Sequence, residues 1–157
     1  MRKRALAALA LASLAASGCR TAPPAGETGP SALRGIDFRA AVAAEGDAGL
    51  APTMTIVNRR ATPVLLSFPV TCYGIVRAYE KSGRTVPVWE QARDACPDGT
   101  VRVNLLAGEE KTVSLESVEA SHVLGEDLPD GTYRFTVVVA PEGQVLEIEA
   151  GEEELAR

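Results

Sequence analysis

The sequence predicts an all-β fold, an antiparallel β-sandwich with Greek-key connections. Three observations support this. From Ile36 onward, apolar and polar residues alternate with a period of two, so every second side chain falls on one strand face. Turn signals built from Gly, Pro, Asn and Asp recur about every 8–12 residues. No stretch carries a convincing helical period. About nine short strands result, and a small barrel is the alternative.

Taken in order, Ile36, Phe38, Ala40 and Val42 share one face of the first strand, with Asp37 and Arg39 on the other. Glu45 to Gly49 is a turn. Thr53 to Asn58 is a β-branched strand with Met54 and Ile56 on one face, closed by Asn58 and Arg59-Arg60. Val64, Leu66 and Phe68 form the next face, ended by Pro69. Cys72 to Glu80 is a further strand, followed by the turn Lys81 to Arg84. Thr85 to Gln91 is short and holds Trp89. Its Pro87 cannot donate to a ladder, which places this strand at an edge or a bulge.

Val101, Val103 and Leu105 alternate with Arg102 and Asn104. Ala107 to Glu110 then turns the chain into Thr112 to Val118. Glu119 to Asp127 is open between a plain loop and a loop with a helical turn. Pro129-Asp130-Gly131 is a strong turn signal. Thr132 to Ala140 is the clearest strand, with Tyr133, Phe135, Val137 and Val139 facing one way. Pro141-Glu142-Gly143 turns into a return strand from Val145 to Ala150, and the acidic tail from Gly151 to Arg157 is expected to fray.

The N-terminus points to export. Met1-Arg2-Lys3-Arg4 is a compact positive cluster, and Ala5 to Ala16 is an uncharged Ala/Leu run with Ser13 as its only polar member. Such a run suits a signal-peptide h-region and is too short to span a bilayer core of about 30 Å. It ends in Ala16-Ser17-Gly18-Cys19, which looks like a lipobox, with Ala16 where that motif usually has Leu. Cys19 is therefore the expected lipidation site. Arg20 follows it where an Asp would hold a lipoprotein at the inner membrane, so the motif resembles that of an outer-membrane lipoprotein. The expected organisation is a signal peptide over 1–18, a lipid-anchored linker over 19–35 rich in Ala, Pro, Gly, Ser and Thr, a sandwich domain over 36–150 and the tail over 151–157.

The formal net charge is −5, and loss of Arg2, Lys3 and Arg4 with the signal makes the remaining domain more acidic still. An acidic domain without a basic stripe argues against nucleic-acid binding. With Cys19 lipidated, Cys72 and Cys96 remain as an even pair in an oxidising compartment, and a disulfide between them is expected. They are not spaced like a metal site. Closing their loop stabilises the fold by about 3 kcal/mol on chain-entropy grounds.

Several punctuation points together resemble the bacterial intracellular proteinase inhibitor (BsuPI-type) domain. They are a strand ending in Asn58, a strand ending in Phe68, Gly83 with Val88-Trp89, the turn Leu106-Ala107-Gly108-Glu109, and Pro129-Asp130-Gly131-Thr132-Tyr133. The similarity runs from about Thr53 to Ala140. It implies an immunoglobulin-like sandwich and, by the family's name, proteinase inhibition. The cysteine pair and the lipid anchor mark an exported variant, and no inhibitory residue set transfers residue by residue. Within the motif Trp89 is expected as a core anchor, and Gly108 as a backbone conformation other residues resist. Asp130-Gly131-Thr132-Tyr133 resembles a tyrosine corner, whose hydroxyl bonds back to nearby backbone.

No catalytic, cofactor-binding or metal-ligating set is expected. His122 is the only histidine, and Ser121 beside it points elsewhere on an extended chain. Two carboxylate groups, Asp94, Asp98, Glu109 and Glu110, and Glu126, Asp127 and Asp130, lack the Asp-x-Asp-x-Asp run of a calcium loop. The reading is thus a non-enzymatic protein-binding module, with an exported protease as the partner implied by the resemblance. Arg93-Asp94, near the end of the Cys72–Cys96 segment, is its candidate binding loop. The alternative is a structural or scaffolding lipoprotein of the cell envelope, docking through an exposed strand edge.

Overall fold

The computed structural model describes residues 33–46, 49–70, 72–81, 83, 85–92, 96 and 98–157. Cys19, Arg93 and Asp94 lie outside the described residues, as do the signal peptide and almost all of the linker. The fold is an antiparallel β-sandwich. One sheet has the order β1-β2-β7, where β1 is Ile36–Glu45, β2 Gly49–Asn58 and β7 Glu110–Ser114, and the short β8 (Val118–Glu119) pairs with the start of β2. The other has the order β10-β9-β4-β5, from β4 (Gly74–Glu80), β5 (Trp89–Glu90), β9 (Gly131–Val139) and β10 (Leu146–Leu155). β3 (Val64–Val70) and β6 (Asp98–Leu105) form a separate two-stranded sheet. The pairings of β2 with β7 and of β4 with β9 join strands distant in sequence, as Greek-key connections do.

The period-two pattern is what fills the space between the sheets. Met54 and Ile56 of β2 and Phe135 and Val137 of β9 are each 0% exposed. Leu66 and Phe68 of β3 and Val103 and Leu105 of β6 join the same cluster, so the third sheet shares the core. Each such side chain contributes about 1.5–3 kcal/mol by leaving water. The Phe68 ring also meets Tyr73 edge-on at 5.5 Å.

Several elements differ from expectation. β2 starts at Gly49, because the hairpin register pairs Glu45 with Gly49 and carries the ladder through Pro52. Pro69 does not end β3. The strand continues to Val70, with a register shift between Phe68 and Val70 where it pairs with β6. The segment expected as one strand over Thr112 to Val118 is split into β7 and β8. The ambiguous stretch after it holds a single helical turn, α1 (Ala120–Leu124), whose Ala120, Val123 and Leu124 are buried.

The frayed acidic tail is a correction. β10 runs on through Glu152-Glu153-Glu154 to Leu155, paired with β9 down to Gly131. Ala150 is the extra residue of a bulge, and Gly151 beside it takes φ +103°. That shift turns Leu155 inward, where it is 2% exposed. Glu152 and Glu154 face outward, and their charge does not unpair a strand whose backbone bonds are made.

Candidate functional site

Asn58 is fully buried at the end of β2. Its Nδ2 donates to the carbonyls of Thr62 at 2.9 Å and Leu106 at 2.8 Å, while its Oδ1 accepts from the Arg60 N–H at 3.0 Å. Its own N–H donates to the Glu109 carbonyl. The amide therefore ties the end of β2 to the β6–β7 turn, where Gly108 takes φ +73°. At the start of β9, the Tyr133 hydroxyl donates to the Pro129 carbonyl at 2.6 Å, the geometry of a tyrosine corner. Burial raises the Tyr133 pKa. These motif residues hold the frame.

The disulfide links Cys72, just before β4, to Cys96, just before β6, with their Cα atoms 5.3 Å apart. It closes a segment of chain that contains β4 and β5. Beyond the ladder of β4 with β9, side chains on the outer face of the sheet also hold that segment. Arg77 of β4 bonds Glu90 of β5 and, at 3.0 Å, Glu147 of β10. Glu147 also accepts from the Tyr79 hydroxyl and from Thr136 at 2.8 Å. The Tyr79 hydroxyl first, then Thr136 and the Arg77 guanidinium, hold the Glu147 carboxyl below the usual carboxylate range, against the effect of burial. The Glu90 bond raises Arg77, and burial raises Tyr79. The Arg134 guanidinium lies 4.4 Å above the Tyr79 ring. β5 is only two residues long, and Gln91 completes its hold on β4. The Gln91 N–H bonds the Val76 carbonyl, and its Oε1 accepts from the Val76 N–H at 3.2 Å.

Trp89, expected as a core anchor, packs against the core from its margin. Its ring is half-buried at the rim, while Phe68, Phe135, Met54 and Ile56 fill the centre. The reason is its strand: β5 is the outermost strand of its sheet, as Pro87 indicates. Two open depressions meet at Trp89 and His122. One, about 500 Å³, lies between Val86 to Trp89 and the end of α1 with the loop that follows it, His122 to Leu128. The other, about 320 Å³, lies between Trp89 to Ala92 and Glu116 to Val118. A third groove, about 240 Å³ and mainly apolar, lies beside the disulfide with Tyr73 and the 72%-exposed Val145 on its walls.

Ser121 and His122 both turn to Glu119. The serine hydroxyl lies 3.4 Å from its carboxylate and the imidazole Nε2 3.9 Å from it, with His122 largely in solvent. The two side chains therefore share the Glu119 carboxylate as their common neighbour. Among the described residues no group of three or more His, Cys, Asp or Glu could hold a metal ion, and no helix is long and apolar enough to cross a membrane. The rim around Trp89 was not legible beforehand. Only Pro87 hinted that the ring would stand at an edge, and nothing local placed Glu126 and Asp127 opposite it.

No protein-family model matches the chain, and no curated protein sequence matches it. Among solved structures, a β-glucosidase from Listeria innocua in complex with gluconolactone is 19% identical at a TM-score of 0.35, covering 74% of this chain and 16% of the enzyme. A β-glucosidase from Kluyveromyces marxianus is 15% identical at a TM-score of 0.39, covering 76% and 15%. A protein from Archaeoglobus fulgidus is 13% identical at a TM-score of 0.39, covering 77% of this chain and 95% of its own. This chain therefore spans only a small part of the two enzymes.

Proposed function

We propose that this chain is an exported, lipid-anchored protein whose sandwich binds another protein and catalyses nothing, with inhibition of an exported proteinase as its specific form. The observation that carries the reading is the Cys72–Cys96 disulfide closing the segment that bears β4 and β5. A surface held by a cross-link and by the Arg77–Glu90 pair loses little freedom when a partner docks, which lowers the cost of association. Residues 1–19 support export and anchoring through Cys19, and the BsuPI-type resemblance supports inhibition.

In the direct test, purified protein slows an exported serine protease at a fixed stoichiometry, and reduction of Cys72–Cys96 weakens the effect. Absence of any slowing, with an envelope protein co-purifying instead, favours the second reading, a scaffolding lipoprotein. The edge position of β5 supports that alternative, because an edge strand offers backbone groups to a strand of a larger assembly. For the anchor, Cys19→Ser is expected to abolish incorporation of a fatty-acid probe and membrane fractionation. Continued labelling of that variant contradicts the lipoprotein assignment.

A further inference from the structure

Among the described residues, the surface along β5 combines an apolar strip, a majority of carboxylates over basic groups and a strand edge. Val86 is 69% exposed and stands beside the half-buried Trp89. Glu80, Glu126 and Asp127 line the depression on one side of Trp89, and Glu90 and Glu116 line the one on the other. Among the described lining residues, His122 is the one basic side chain, and it sits by Glu119. Glu90 bonds Arg77, and Glu116 accepts from Gln91 at 3.3 Å. Glu126 and Asp127 have no side-chain partner among the described residues.

We propose that this surface docks an extended, Lys- or Arg-bearing peptide segment of a partner protein. The inference rests on the protein-binding reading above and names the partner's chemistry. An apolar side chain of such a segment covers Val86 and the Trp89 ring. Its cationic neighbours reach the carboxylates on either side, and a cation over the indole face gains further attraction. An extended chain alternates its side chains, as an apolar strip with charged margins requires. A nucleic acid or an anionic lipid surface is repelled by the same carboxylates. Arg157 donates to the carbonyls of Gly125 at 3.1 Å and Leu128 at 2.6 Å, which ties down the loop that carries Glu126 and Asp127.

Trp89 is the single tryptophan of the sequence, so its emission reads occupancy directly. Purified protein is titrated with an octapeptide of alternating Lys and Val, with a Glu–Val octapeptide and spermidine as comparisons. The expected result is a saturable change with Lys–Val alone, weakening at least about threefold between about 50 and 300 mM salt. Glu126→Gln with Asp127→Asn, both exposed and therefore compatible with folding, is expected to weaken binding by about threefold to tenfold. No saturable change up to about 1 mM peptide overturns the proposal. So does an equal response to Glu–Val or spermidine, or unaltered binding by the double variant. A native partner that co-purifies equally with the double variant overturns this surface while leaving the protein-binding reading standing.

Discussion

Asn58 joins three pieces of chain through its side chain: the end of β2, the Arg60–Thr62 bend and the β6–β7 turn. Each bond contributes about 0.5–1.5 kcal/mol, and the carbonyls left without a donor add to the loss, so Asn58→Ala is expected to lower unfolding free energy by about 2–3 kcal/mol. A urea titration with unchanged slope checks this, and a loss below about 0.5 kcal/mol contradicts the role. Glu147 makes a pH-dependent contribution. Its folded pKa lies below the ordinary 4.5, so its charged form stabilises the fold above that value and the contribution fades as pH falls through the folded pKa. The stability difference between wild type and Glu147→Gln should therefore be largest near neutrality and vanish in acid. A difference that grows on acidification contradicts the sign.

At the scale of elements, two linkages can be separated by experiment. Reducing Cys72–Cys96 should lower stability by about 2–4 kcal/mol without abolishing the fold, since the strands supply a core of their own. Thiol labelling of unreduced, denatured protein should leave both cysteines unmodified, and labelling of either contradicts the bond. β10 supplies the other case. Leu155→Ala should cost about 2–3 kcal/mol, whereas a frayed tail would make it nearly neutral. The same element shows what the sequence could convey. Alternation through β1, β2, β3 and β9 was legible because each places every second residue in the core over most of its length. The last turn of β10 was hidden because the bulge at Ala150 shifts the period by one just where the side chains become charged. The rim around Trp89 was hidden for a different reason. It is made by the meeting of β5 with the loop after α1, and that meeting depends on sheet order, which no local pattern encodes.

For the whole molecule, the proposed anchor at Cys19 and a linker over 19–35 would keep the sandwich close to the membrane, raising its effective concentration toward a partner anchored in the same surface. The acidic character of the domain steers it toward basic surfaces and away from anionic ones. The central claim is that the sandwich acts by holding a protein. Its most direct test is co-purification from native membranes after mild cross-linking, with the amount of each recovered protein quantified against the bait. The account predicts one discrete protein at a fixed ratio to the bait, depleted when Cys72–Cys96 is reduced before cross-linking. Recovery of no protein in fixed ratio, from membranes in which the bait is intact and oxidised, would contradict it.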